Sequence, residues 1–508
     1  MPEHLRALIV ILFLATVVFT MARRPALDLI RSADFKRRRN LWFALTLLVF
    51  VSGNFWVYAV IAVLVLLVAG RREHNPMALF LMLLFLMPAA AIPVPGFGVI
   101  NYLVDLDHIR LLSLSVLLPA ALALRQESDT LPFGRTWPDR FLLASLVLMN
   151  LLYLRETSLT DTLRQTLYLF LDIFLPYYVA SRALKELSHF KDALFSFVIA
   201  TMLLALIGTF ESARHWLLYN ALTYVLGIHM DMTSYLSRGG ALRASATTGQ
   251  AIVLGYLMMV GIGLYLFVQG YVRSTLQRTL GALLLAAGLF VPLSRGPWVG
   301  TGVIIVVFIA TGRGAVKRLG MLAVAGLLCL PLLAVVPGGE KVIDMLPYIG
   351  TLEKDNITYR ERLLDNSLIV IERNLWFGSF DFRKTPEMQS MVQGQGIIDI
   401  VNTYLNLALR FGVVGLALFV AFFASALLSL RKTLRTFADK DEHLCRLGRS
   451  LLATLLGILI TIFTVSSITF IPVVYWSLAG VAVAYVQMVR RFKLAHAAGI
   501  VGVGLPAR

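Results

Sequence analysis

The chain has 508 residues, of which 58% are hydrophobic and only 15% charged. Soluble domains sit near about 45–50% apolar and about 25% charged, so an ordinary water-soluble enzyme is excluded at the outset. The formal net charge of +17 does not point to nucleic acid, because the basic residues stand in short clusters between apolar runs, where they orient a membrane protein.

In lipid every backbone polar group needs an internal partner, which leaves helices or closed barrels. The apolar runs are continuous and not alternating, so helices are predicted. In chain order they fall at 5–22, 41–53, 55–70, 77–92, 108–124, 141–154, 166–181, 192–210, 249–268, 279–293, 298–311, 319–336, 411–430, 450–469 and 471–489. The expected fold class is all-α: a polytopic membrane helical bundle with about 12 core transmembrane helices and about 3 N-terminal membrane segments, carrying short periplasmic amphipathic helices. The first run lacks a basic lead and a small-residue cleavage site, and reads as a retained span. Runs two and three, and runs ten and eleven, are short for full spans; each pair reads as a hairpin, the second turning at Ser294-Arg295-Gly296-Pro297.

The strongest topological signal follows the first run: Arg23, Arg24, Arg31, Lys36, Arg37, Arg38 and Arg39. Held in the cytoplasm, that cluster makes the basic loops after alternate runs cytoplasmic, together with the 431–449 loop and the tail from Arg490. The N-terminus is then outside and the C-terminus inside. The chain divides into N-terminal membrane segments (1–76), core helices (77–336) with an outward loop at 211–248, a large outward loop (337–410), and C-terminal helices with a tail (411–508). Cys329 lies in an apolar run and Cys445 in a basic loop, so neither a disulfide nor a metal site is expected, and no cofactor is called for.

The two outward loops are too long to be mere connectors. In the second, Thr358-Tyr359-Arg360-Glu361 reads as a capping box opening a helix with an apolar stripe of Leu364, Leu368, Ile371 and Leu375, stopped at Gly378. Arg360 shares that face and is expected to point at the protein, as a donor-site group or as a buried structural ion pair. Farther on, Asp399, Asn402, Asn406 and Arg410 fall within about 80° of one another on a helix taken to span 397–410, a polar ridge on a greasy surface. Such a ridge can simply face water. Its amides and single charge of each sign are unlike a solvated lysine–glutamate face.

In the first loop Arg238 and Arg243 precede span nine, and Arg295 sits at the hairpin tip. By topology Arg243, Arg295, Arg360 and Arg410 share the outer side, against the positive-inside trend. Any one of them alone is more often an interface anchor. Guanidinium groups are, however, the side chains best shaped to hold phosphate.

These blocks carry a resemblance. Arg243-Ala-Ser-Ala-Thr-Thr-Gly-Gln-Ala-Ile-Val-Leu-Gly255, Ser294-Arg-Gly-Pro-Trp298, Tyr359-Arg-Glu-Arg-Leu363 with Trp376-Phe-Gly378, and Asn402-Thr-Tyr-Leu405 followed by Arg410-Phe-Gly412-Val-Val-Gly415 together resemble the O-antigen ligase and polymerase superfamily of bacterial envelope polysaccharide assembly. The Gln393-Gly-Gln-Gly-Ile-Ile-Asp399 lead-in is similar to a subgroup associated with exopolysaccharide polymerisation. The resemblance implies a metal-independent glycosyltransferase of the inner membrane, working on undecaprenyl-diphosphate-linked glycans at the periplasmic face. By matching block it implies that Arg243 and Arg295 bind the donor pyrophosphate; Arg410 is a further candidate for that role. The chain departs from the family at Val401, where a histidine is common, and at Leu375, where a proline is usual.

Asp399 is the first candidate for general base, with Asn402 and Arg360 beside it as catalytic candidates. Arg238, Glu361, Asn406 and Tyr404 follow, then Asp365, His215 and His229. The expected activity is polymerisation of repeat units of an exopolysaccharide or O-antigen. The alternatives are ligation of the glycan to lipid A-core and, from a different class, flipping of a lipid-linked oligosaccharide, for which Asp172 is the clearest intramembrane acid. Expected partners are the lipid-linked oligosaccharide, membrane lipid, and a chain-length regulator and flippase of the same pathway. No nucleic acid is expected.

Overall fold

The computed structural model describes residues 1–497 apart from 89, 99, 229–236, 239, 336–353, 394–395 and 438–441. His229 lies outside the described residues, as does the side chain of Arg238. The first helices are α1 (Glu3–Leu29), α2 (Ser32–Val51), α3 (Phe55–Arg71) and α4 (Pro76–Leu83), followed by a two-stranded hairpin of β1 (Ile92–Pro95) and β2 (Tyr102–Leu106). Then come α5 (His108–Leu112) and α6 (Leu118–Gln126), joined by a π turn, and α7 (Trp137–Glu156). A second π turn joins α8 (Leu159–Leu169) to α9 (Leu175–Ala183), and α10 (Leu187–Arg214) is followed by the short α11 (Leu222–Leu226).

A two-residue ladder, β3 (Ser237–Arg238) with β4 (Ala241–Leu242), leads into α12 (Ala251–Val268), α13 (Thr275–Phe290), α14 (Arg295–Ala310) and α15 (Ala315–Val335). The remainder is α16 (Lys354–Arg373), α17 (Pro386–Gln389), α18 (Thr403–Phe437), α19 (Glu442–Thr461) and α20 (Phe470–Ala497). Among the described residues the bundle is all-α but for the two small hairpins. Among the described residues seven helices are long and apolar enough to cross a membrane, and Phe55–Arg71, Thr275–Phe290 and Arg295–Ala310 are shorter apolar helices. The chain is a multi-pass membrane protein.

Helix starts follow local chemistry. Asn54, Asn75, Asp107 and Ser274 each accept a first-turn amide, and Thr136 with Asp139 forms a reciprocal capping box on α7. In the centre α10, α12, α19 and α20 are the most enclosed spans, and small residues let them close up. A Cβ on Gly261 would meet the Thr201 hydroxyl at 2.6 Å, and one on Gly263 would clash with the Thr454 hydroxyl.

Several expectations are corrected. The run at 77–92 forms only the two-turn α4 and a following turn, with Met77 through Met87 buried against protein; it is a core plug and not a lipid-facing span. The basic stretch after the first run is helical, because α1 extends to Leu29 and α2 starts at Ser32. Arg38, expected as a topology marker, is buried and paired with Asp192 at 2.5 Å and Glu73 at 2.6 Å.

α16 starts one turn before Thr358, so that threonine is inside the helix and does not cap it. Its buried face holds Leu363, Ser367, Val370 and Ile371, while Leu364 and Leu368 are 44% and 47% exposed. Lastly, α18 starts at Thr403 and not near 397, which removes Asp399 and Asn402 from any helical ridge with Asn406 and Arg410. Asn402 is the N-cap: its Oδ1 accepts from the amides of Tyr404 and Leu405 at 2.9 and 3.2 Å.

Candidate functional site

α13 and α14 both pack on α12, and the turn between them projects at one end of the bundle. The Arg243 segment is laid against this turn: Arg243 Nε donates to the Pro292 carbonyl at 3.0 Å and Ala244 N to the Val291 carbonyl at 3.3 Å. Arg243 is therefore anchored three residues before Arg295. Behind it Glu211, fully buried at the end of α10, accepts from the amides of Leu218, Ser245 and Ala246 at 3.0, 3.2 and 2.8 Å. Ala246 is held at φ 47° there. Sequence reasoning names no carboxylate at this place, although Glu211 is the acid that closes the eighth apolar run.

A second missed element joins the other pieces. The sequence reads 450–469 as one run, but α19 ends at Thr461 and residues 462–469 form a non-helical link to α20. Four hydroxyl residues, Thr464, Ser466, Ser467 and Thr469, mark it in the sequence. Thr403 N donates to the Ile462 carbonyl at 3.0 Å and its hydroxyl to the Val465 carbonyl at 2.8 Å. Ser466 donates to Asp399 Oδ1 at 2.9 Å. Arg360 Nη2 reaches the Thr464 carbonyl at 3.3 Å. A Cβ on Gly296 would lie 2.6 Å from the Thr464 hydroxyl, so the hairpin tip meets the same link at a distance only glycine allows.

Between these pieces lies a cleft of about 440 Å³ bounded by Gly296, Val299, Tyr404, Leu459, Phe463 and Thr464. Its walls are largely apolar. Tyr404 forms part of one wall and donates its hydroxyl to the Leu459 carbonyl at 2.8 Å. Arg295 adjoins the rim through Gly296, Arg360 through Thr464. α14 also aims its N-terminal dipole at this rim, and Ser294 supplies no side-chain cap there. Next to Asp399, the Tyr359 hydroxyl donates to the Asp399 carbonyl at 3.0 Å, and burial raises the Tyr359 pKa.

Other candidates stand apart. Arg410 donates to the Tyr153 hydroxyl at 3.2 Å and lies over the ring of Phe380, on the α7 side of α18. Asn406, one turn before it, keeps a buried Oδ1 with no hydrogen-bond partner among the described residues. Glu361 and Asp365 are exposed. His215 ends α10 in a left-handed conformation and is exposed. Asp172 is paired with Arg110 at 2.9 Å, the helix-to-helix ion pair that an intramembrane acid most often makes.

Residues 280–420 match the family described as O-antigen ligase, and no curated protein matches the chain. The match includes Arg295, Arg360, Asp399, Asn402 and Arg410; Arg243 precedes it. It supports a membrane enzyme of the glycosyl-transferring ligase or polymerase type. Within its helical membrane bundle, residues 280–420 of the chain are therefore similar to the O-antigen ligase family.

Proposed function

We propose that the protein polymerises repeat units of an exopolysaccharide or O-antigen, taking its donor from undecaprenyl-diphosphate-linked glycan at the periplasmic face of the inner membrane. The observation that carries this reading is the apolar cleft with arginines at its rim. A polyprenyl diphosphate is an apolar tail joined to a dianionic headgroup, and needs both kinds of surface in contact. Arg243 and Arg295 bind the diphosphate, with Arg360 at the same rim beside Thr464 and the α14 N-terminus adding its partial charge.

When the anomeric C–O bond breaks, negative charge stays on the diphosphate while the sugar becomes oxocarbenium-like. Fixed guanidinium groups stabilise that leaving group without solvent reorganisation. Two unit charges 4 Å apart interact by about 4 kcal/mol at an effective dielectric near 20, and desolvation offsets part of this. The acceptor hydroxyl attacks from the other face and passes its proton to Asp399, which Ser466 orients. Asn402 holds the first turn of α18, and with it Tyr404, in place. No step in this scheme needs a metal ion.

The test is the polysaccharide profile of a null strain complemented with wild-type, Arg295→Ala or Arg295→Lys protein. The wild type restores long chains; the alanine variant leaves single repeats on the core, and lysine, which lacks the forked donors, rescues poorly. Restoration by the alanine variant would remove Arg295 from the donor site. A second reading, ligation to lipid A-core, is favoured by the description of the matching family. It requires instead that long chains accumulate on the lipid carrier in the null strain.

A further inference from the structure

α14 and α19 each have one end at the cleft just described. At their other ends, about 22 Å away at 1.5 Å per residue, lies a second and larger cavity of about 1000 Å³. Four helices and one turn send arginines into it. Arg278 comes from the first turn of α13, Arg313 from the α14–α15 turn and Arg318 from the start of α15. Arg431 and Arg435 come from the last turns of α18, and Arg446 and Arg449 from the start of α19. Among the described lining residues Glu442 is the one carboxylate, and it pairs with Arg446 at 3.1 Å.

Basic loops on one side of a membrane protein are ordinary, and orientation alone accounts for their sign. Orientation does not account for convergence. Loop arginines that only set topology can spread apart in water, whereas these line one concavity. Some are already engaged by backbone: Arg449 donates to the Phe308 carbonyl at 2.5 Å and stacks over that ring, and Arg278 donates to the Val272 carbonyl at 2.9 Å. Arg318, Arg431 and Arg435 make no ion pair among the described residues. A cavity lined in this way suits an anion.

We propose that this cavity is a binding site for the phosphate of an anionic phospholipid. The phosphate chemistry follows from forked guanidinium donors arriving from several directions. The lipid source follows from what borders the cavity. Leu266, Phe308, Leu434 and Leu452 share its wall with the arginines. One turn beyond Arg318, α15 exposes Met321, Val324, Leu327 and Leu328, an apolar face suited to acyl chains. A headgroup held by Arg318, Arg431 and Arg435 would lay its tails along that face, and basic pockets between helix ends are suited to such headgroups. The site is independent of the glycan cleft and stands or falls without it.

The test uses purified full-length protein in detergent and native mass spectrometry. Phosphatidylglycerol, phosphatidylcholine and inorganic pyrophosphate are titrated separately. Phosphatidylglycerol is expected to be retained at about tenfold lower concentration than phosphatidylcholine, and to be released at high salt. The triple variant Arg318→Gln, Arg431→Gln, Arg435→Gln is expected to weaken retention by at least about tenfold, while the matching triple lysine variant, which keeps the charge but lacks the fork, recovers only part of it. Equal retention of the two lipids, or retention by wild type that ignores salt, overturns the proposal without reference to any variant. Undiminished retention in a folded glutamine variant overturns it as well. Tight pyrophosphate binding with no preference for phosphatidylglycerol would show a soluble polyphosphate as the ligand and overturn the lipid source.

Discussion

Gly378 and Gly412 meet backbone to backbone: a Cβ on Gly378 would lie 2.7 Å from Gly412 N, and one on Gly412 would run into the Trp376 carbonyl. Both have positive φ, 63° and 67°. Ser379 N donates to the Leu409 carbonyl at 2.9 Å and Val413 N to the Leu375 carbonyl at 2.8 Å, so the contact is a small hydrogen-bonded lock. The Trp376-Phe-Gly378 and Arg410-Phe-Gly412 blocks, separate in the sequence, are one structural unit. The break at Gly412 also divides α18 into a short first part at the cleft and a long membrane span.

Gly412→Ala is expected to disrupt this lock. At φ 67° and ψ −172° the backbone is essentially restricted to glycine, at a cost of about 1–3 kcal/mol before any clash is counted. The measurement is thermal unfolding in detergent beside Val413→Ala as a neighbouring control. An unchanged midpoint for Gly412→Ala would mean that the two blocks do not lock.

Asp399 can be a base or a structural acceptor for Ser466, and two substitutions separate the roles. The side-chain amide introduced by Asp399→Asn still accepts from Ser466 but cannot take a proton at neutral pH, whereas Asp399→Ala does neither. As a general base, Asp399 predicts that both variants lose turnover by about 10²-fold or more with donor binding retained. Normal turnover in Asp399→Asn with a defect only in Asp399→Ala would leave Asp399 a positioning residue.

Glu211→Ala removes the acceptor for three backbone amides that hold the Arg243 turn. Each buried amide left without a partner costs about 1–3 kcal/mol. The turn is expected to loosen, with faster hydrogen exchange at 243–248 and reduced transfer activity in correctly inserted protein. Wild-type exchange there would detach Glu211 from the site.

Arg38→Ala leaves Asp192 buried without its cation and Glu73 with Arg37 alone. Breaking a buried pair from one side typically costs about 3–5 kcal/mol. A large drop in thermal stability is expected for Arg38→Ala, with a smaller drop when Arg38→Met is combined with Asp192→Leu. Equal loss in the single and double variants would show that the pair is not the cause.

The spans are legible because a bilayer demands long apolar helices and the sequence contains nothing else of that length. What fails is the assignment of faces. On α16 the stripe containing Leu364 and Leu368 reads as inward by the logic of a water-soluble protein, but those residues are half exposed while Ser367 is fully buried. Helical spacing fits Leu363, Val370 and Ile371 as well as it fits Leu364 and Leu368, and packing against α17 and α18 decides which face is buried. Asn402 reads as part of a helix because the apolar period runs through it, while its capping preference sets the true start. Arg38 looks like any basic loop residue, since its partners are 35 and 154 positions away.

In the candidate site, the arginines of the first loop and the hairpin tip are legible by type and side. Their separation from Arg410 is not, since Arg410 is drawn to Tyr153 and Phe380, which lie far from it in the sequence. The 462–469 link escapes because its apolar residues bridge two spans without a gap, and only its hydroxyls betray it.

The most direct test of the donor-site arrangement is sidedness. In a variant lacking Cys329 and Cys445, single cysteines at 243, 295, 431 and 435 are treated with a membrane-impermeant maleimide in intact cells with a permeable outer membrane. Labelling at 243 and 295 without permeabilising the inner membrane, and at 431 and 435 only after it, is the predicted result. Labelling of 243 and 295 only after permeabilisation, or on different sides, would contradict a periplasmic diphosphate held by these two arginines.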